Sequence, residues 1–247
     1  MHRFFINPAA INGNTVIIDQ GEGWHIEKVL RLKAGDMVFL FDGTGREYQV
    51  ELAGKEGVTL KGKIISTRFQ DNEPTLQIYL AQGLVKGEKM DKIIQKAVEI
   101  GVKAIYPVSC ERSVVRLIDE KAEKKVCRWQ SIAQEACKQS RRNIVPEVLA
   151  ISELPAIFKM IGKRPAIMLY ENEDKTSLRS LLQEKQYSQA DELFIIVGPE
   201  GGFSANEARR AAELGIKTAS LGPRILRTET AGLVAASIIL YEYGELG

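Results

Sequence analysis

Cysteine is scarce in this 247-residue chain: Cys110, Cys127 and Cys137 stand far apart, with no Cys-x-x-Cys pair. That count and spacing argue against a disulfide framework and against a zinc site. Histidine is scarcer still, and neither His2 nor His25 has a Cys or Asp at a spacing that suits a metal or a catalytic triad. No apolar run is long enough to span a bilayer. The N-terminus, MHRFFINPAAING, lacks the apolar core of a signal peptide, so a reduced, cytoplasmic protein is expected. Charge of one sign is missing too. The net charge is +2, and residues 1–72 carry nine Lys+Arg against nine Asp+Glu. Composition therefore does not announce a nucleic-acid partner, which would need a local basic patch. Lys121, Lys124, Lys125 and Arg128, then Lys138, Arg141 and Arg142, are the candidates; the solvated face of a helix is the plainer reading.

What is present reads as a soluble α/β chain of two textures that meet near residue 72. Before it, short β-rich runs (15–18, 37–41, 47–52 and 58–65) are broken by glycine turns, as in a small barrel or sandwich. One helix is predicted there, from Trp24 to Leu32, with Trp24, Val29 and Leu32 as its apolar contacts. The polar stretch Gln70-Asp-Asn-Glu-Pro74 marks the boundary, giving domains 1–72 and 73–247. After it, strands at 76–84, 104–108, 166–170, 193–197 and 218–221 alternate with helices at 88–100, 119–139, 153–161, 177–183, after Ser204 and at 228–243. Such alternation implies a mainly parallel sheet with helices on both faces.

Two strand-to-helix loops carry the chemistry. Gly198-Pro-Glu-Gly-Gly-Phe-Ser204 is neither a P-loop nor a GxGxxG fingerprint, and it runs into a Ser204…Glu207 capping box. Its glycines suit either close approach of a ligand or a tight turn, and the two readings weigh evenly. In Leu221-Gly-Pro-Arg-Ile-Leu-Arg-Thr-Glu-Thr-Ala231, Ile225 and Leu226 sit between Arg224 and Arg227. Apolar side chains there suit the wall of a pocket for a flat ring better than a simple connector. Thr228 suits a helix cap and Glu229 a first turn. Arg112 and Arg116, in Glu111-Arg-Ser-Val-Val-Arg116, fall near the same sheet edge, where they suit a phosphate or acidic neighbours, surface ion pairs being the commoner outcome. Near the N-terminus, Arg3 beside Phe4 and Phe5, and His25 with Lys28 and Arg31, mix charge with aromatics as RNA contacts do; for each residue taken singly, the wet face of a helix packed on a barrel is the plainer reading.

Read together, several segments resemble the bacterial small-subunit ribosomal RNA (uracil-N3)-methyltransferases, the RsmE family. They are Trp24-His-Ile-Glu-Lys-Val-Leu-Arg31, Gln95-Lys-Ala-Val-Glu-Ile-Gly101, Glu111-Arg-Ser113, Gln139-Ser-Arg-Arg-Asn143 and the two loops above. The resemblance implies a PUA-like β-barrel for RNA binding, followed by a SPOUT domain whose parallel sheet ends in a trefoil knot. It also implies a homodimer, S-adenosyl-L-methionine as methyl donor, and 16S ribosomal RNA of the small subunit as substrate. On that reading the donor pocket comprises Leu169, Tyr170, Val197, Gly198, Glu200, Leu221, Gly222, Ile225, Leu226 and Thr228. Arg3, His25, Lys28, Arg31, Arg141 and Arg142 face RNA. Glu200 or Glu229 would accept the N3 proton, and Arg227 or Arg112 would stabilise charge on the uracil oxygens. Relatives often carry paired histidines where this chain has Trp24-His25. Two other readings are an RNA-binding assembly factor with a vestigial pocket and an enzyme acting on a free nucleotide.

Overall fold

The structure, a computed structural model, describes residues 2–57, 59–69, 72–115 and 120–246. Val58, Gln70, Asp71, Arg116 and Asp119, which entered the expectations above, lie outside the described residues. The chain divides into two compact units, Met1–Glu73 with Cys137–Val145, and Pro74–Ala136 with Pro146–Gly247.

The first unit is a six-stranded sheet of β1 (Arg3–Phe5), β2 (Ile11–Asn12), β3 (Thr15–Ile18), β4 (Met37–Phe41), β5 (Arg46–Glu56) and β6 (Thr59–Phe69). The strand path is β1-β4-β5-β6-β3-β2, antiparallel except for the β1–β4 pair. Alternation sends Val16, Ile18, Val38, Leu40, Val50 and Leu52 into one core. The predicted helix over 24–32 differs from the observed one. Asp19 accepts from Glu22 N at 3.0 Å and starts α1 (Gln20–Trp24) early; a single π-turn, His25–Val29, then continues it. The wider turn shifts the phase of the helix. Ile26 becomes the buried anchor with Leu30 and Leu32 against the core, while Trp24 and Val29, expected inside, are 61% and 52% exposed.

The second unit holds an all-parallel sheet of β7 (Gln77–Gly83), β8 (Ala104–Ser109), β9 (Glu147–Val148), β10 (Ser152–Glu153), β11 (Ala166–Leu169), β12 (Glu192–Val197) and β13 (Lys217–Ala219). Its order is β10-β8-β7-β12-β11-β13, with β9 also on β8. The central strands are apolar almost throughout because both faces are covered. Its helices are α2 (Lys89–Ile100), α3 (Glu120–Ser140, of which the part from Cys137 belongs to the first unit), α4 (Leu154–Ile161), α5 (Leu178–Leu182), α6 (Lys185–Ser188), α7 (Ala205–Glu213) and α8 (Thr228–Glu242). One face packs on α4 and α7 through Met168, Phe194 and Ile196; the other packs on α8, which packs in turn on α2. Met90, Ile93, Ile94, Ala97 and Val98 form the buried stripe of α2, at the spacing read from the sequence. Among the described residues no helix is long and apolar enough to cross a membrane.

Candidate active site

β12, β11 and β13 lie side by side, so the segments leaving their carboxyl ends, 170–177, 198–204 and 220–227, meet at one edge of the sheet. They are bound to each other. Ser220 N donates to Thr176 O at 2.9 Å, Leu178 N to Ser220 O at 3.0 Å, and the Thr228 hydroxyl to Gly198 O at 2.5 Å. A cavity of about 810 Å³ opens between them.

The sequence makes the 198–204 segment rigid. Ser204 Oγ accepts from Glu207 N at 3.1 Å, and Glu207 Oε2 accepts from Ser204 N at 2.8 Å, a complete capping box on α7. The buried Glu207 also accepts from Glu111 N at 2.9 Å, which fastens the segment after β8 to the same corner. Two glycines are required by geometry. Gly202 has φ +66, and a Cβ there would stand 2.9 Å from Glu171 Oε1; a Cβ on Gly83, at the end of β7, would stand 2.5 Å from Pro199 N.

Leu169 and Val197, which end β11 and β12, and Tyr170, Gly198 and Glu200 after them line the cavity, with Leu221, Gly222, Ile225 and Leu226 of the third segment and Thr228 at the start of α8. Ile225 is 79% exposed, a large apolar side chain standing open at the rim. Arg227 and Glu229 line it as well. Arg112 is not among its lining residues: its guanidinium donates to Gly201 O at 3.2 Å, so it props the glycine loop. Thr228 is not the cap expected from the sequence. Arg227 holds the N-cap position without a side-chain bond, and Thr228, one residue further, gives its hydroxyl to Gly198.

Residues 71–240 match the RNA methyltransferase domain family, and residues 18–61 match the RNA methyltransferase PUA domain family. The chain belongs to the RNA methyltransferase family. It is similar to the ribosomal RNA small subunit methyltransferase E of Bacillus subtilis, at 36% identity over 98% of this chain and 97% of that one. Among solved structures, the ribosomal RNA small subunit methyltransferase E of Neisseria gonorrhoeae bound to S-adenosyl methionine is similar, with TM-score 0.86 and 35% identity over 97% of each chain. A Legionella pneumophila methyltransferase in complex with the same cofactor gives TM-score 0.87 and 32% identity, covering 97% of this chain and 96% of that one.

In this RNA methyltransferase, two cations expected to face RNA are interior groups. Arg3 donates to Cys137 O at 2.6 Å, Arg142 O at 2.7 Å and Glu47 at 3.2 Å, and also to Asn143; its guanidinium covers the Phe41 ring at 3.8 Å. Arg142 is 3% exposed and paired with Glu73. A buried, paired guanidinium has no fork left for a phosphate. His25, Lys28, Arg31 and Arg141 are exposed. On α3, Arg128 pairs with Asp91 at 2.6 Å and Lys124 with Glu120 at 3.5 Å, in keeping with the plainer reading of that basic face.

Sequence reasoning named Tyr170 but missed Gln82, Lys89 and the 171–177 segment of this methyltransferase. Lys89 Nζ stands 3.3 Å from Glu200 and 3.5 Å from Glu229, one ammonium shared by two carboxylates on the cavity wall. Burial pushes Glu200 up, but the Lys86 backbone N–H and the Lys89 ammonium together hold it below the ordinary glutamate range. Glu173 is held low chiefly by the Thr218 hydroxyl at 2.5 Å, with help from the Lys175 and Thr176 N–H groups and against burial. Burial pushes the Cys110 thiol far up and the Cys137 thiol up to about 12, so neither is an activated nucleophile. The one usable signal was position: Gln82 and Lys89 flank the carboxyl end of a strand, but that β7 lies next to β12 is not readable from a single sequence.

Proposed function

We propose that this chain methylates N3 of a uridine in 16S ribosomal RNA of the small subunit, with S-adenosyl-L-methionine as donor. The observation that carries this reading is the cavity at the carboxyl edge of β11, β12 and β13, in a chain whose near-full-length relatives are ribosomal RNA small subunit methyltransferases. Its walls fit the donor chemically. Leu226 and Ile225 offer an apolar face for a ring, and the glycine loops leave backbone groups free to read its edge. When bound, the donor supplies an activated methyl group on a sulfonium.

The chain's own residues then have to present an unpaired uridine and take its N3 proton. Glu229 is the base in our reading. Its carboxylate stands 3.5 Å from Lys89, and its Oε2 is buried with no hydrogen-bond partner among the described residues. Glu200, held low by two donors, is the weaker base. Arg227, at the start of α8 and lining the cavity, stabilises charge on the uracil oxygens, while Arg112 holds the Gly201 carbonyl. His25, Lys28, Arg31 and Arg141 contact the RNA backbone from a PUA-like barrel, the C-terminal segment is threaded as a trefoil knot, and the enzyme works as a cytoplasmic homodimer. The test is transfer of labelled methyl groups to small subunits that lack the mark, followed by mapping of the modified nucleotide. Transfer to a single uridine N3 supports the reading; no transfer by folded protein, or transfer to another atom, overturns it.

A further inference from the structure

Gln82, the penultimate residue of β7, is fully buried although its side chain ends in an amide. Its Nε2 donates to Gly83 O at 3.1 Å and to Thr228 Oγ1 at 2.9 Å. Those partners fix the amide's orientation, because a flipped amide would set Oε1 against the Gly83 carbonyl oxygen. Since Thr228 Oγ1 accepts from Gln82, its own proton goes to Gly198 O, at 2.5 Å. A central strand, the N-terminus of α8 and the first residue of the glycine loop therefore hang on one directed relay. Gln82 Oε1 has no hydrogen-bond partner among the described residues, so burying this amide costs more than burying an apolar side chain of its size.

We infer that Gln82 is a positioning residue: through the Thr228 hydroxyl it fixes the Gly198 carbonyl and so sets the spacing of the two loops that hold the methyl donor. This rests on the donor-site reading above. Glu229 follows Thr228 directly in α8, so the same relay fixes where that carboxylate starts. Apolar packing could hold the two loops together, but only a directed bond fixes the rotation of the Gly198 peptide.

The test uses the full chain with S-adenosyl-L-methionine as probe, and reads donor affinity by calorimetry and amide exchange over residues 198–203 without donor. Thr228→Val, similar in shape but without the hydroxyl, should weaken affinity about tenfold and speed exchange about tenfold, the scale of one lost hydrogen bond. Thr228→Ser should restore both to within about threefold of the parent. Gln82→Met should match Thr228→Val, and the double variant should be no worse than the poorer single one. Where Gln82→Met does not fold, Gln82→Glu, which sets a carboxylate where the amide donates, takes its place and should be impaired like Thr228→Val. The inference is overturned if the Gln82 variant or Thr228→Val equals the parent in both readouts, if Thr228→Ser is as impaired as Thr228→Val, or if the double variant's losses add. A parent that binds no donor refutes the functional reading, and the exchange measurement still decides the relay.

Discussion

The two glycine-bearing loops of the second unit are held in different ways. The 198–204 loop is fastened from four sides: Thr228 on Gly198, Lys86 on Glu200, Arg112 on Gly201 and Glu207 on Ser204. The 220–227 loop is bound through Ser220 at one end and through the start of α8 at the other, and residues 222–225 between them are exposed. Neighbouring strand ends have thus produced a fixed floor and an open wall. The difference follows from side chains: a hydroxyl, a guanidinium and a carboxylate hold the backbone of the first loop, whereas in the second, among the described residues, only the Ser220 hydroxyl reaches the backbone, at Gly222, before Ile225 and Leu226. A floor of this kind holds geometry, whereas the wall leaves residues 222–225 open to solvent.

The largest expected effect comes from removing the floor's deepest support. Glu207→Ala leaves the Glu111 and Ser204 N–H groups without their acceptor and should lower unfolding free energy by about 3 kcal/mol. Denaturant titration at unchanged slope checks this; a loss under about 0.5 kcal/mol would mean other contacts hold the loop. Leu226→Asp attacks the wall instead. It should cost about 2 kcal/mol of donor affinity, because it places a charge in an apolar face, while stability changes little. Unchanged affinity in a folded variant refutes the placement of Leu226.

The third expected effect concerns pH and the 170–177 segment. Glu173 titrates below its ordinary value of 4.5, so the stability it contributes is complete above that value and is lost as pH falls through the depressed one. Thr218→Val removes the leading cause and moves the carboxyl back toward 4.5. The variant should therefore be less stable than the parent near neutrality, with the gap closing as pH falls below 4.5. A gap that stays constant with pH would show that the hydroxyl acts only through packing. The smallest effect is expected for Arg112→Ala, within about 0.5 kcal/mol of parent stability, since its guanidinium is exposed and makes one bond to the floor. A large drop in methyl transfer at intact stability would return Arg112 to the chemistry.

Periodicity and capping were legible where a single element decides them. The α2 stripe from Met90 to Val98 and the Ser204–Glu207 box depend only on near neighbours in sequence. The helix after Asp19 was misjudged because a 3.6-residue period was applied across a π-turn, which put Trp24 and Val29 on the wrong side. Arg3 and Arg142 resembled surface cations until their distant partners Glu47 and Glu73 were placed. Lys89, Gln82 and Glu173 were invisible for the same reason: their roles come from strand order, and β11 lying between β12 and β13 leaves no local trace.

The pairing of β7 with β12 also constrains when the site can exist. Ile78 lies opposite Leu193, and the relay from Gln82 ends on α8, which begins at Thr228. During synthesis the early strand must therefore wait, its apolar edge unmatched, until most of the second unit has left the ribosome. The cavity is assembled among the last steps of folding, so a chain stalled before Ser220 lacks the third wall of its cavity and the helix that follows it.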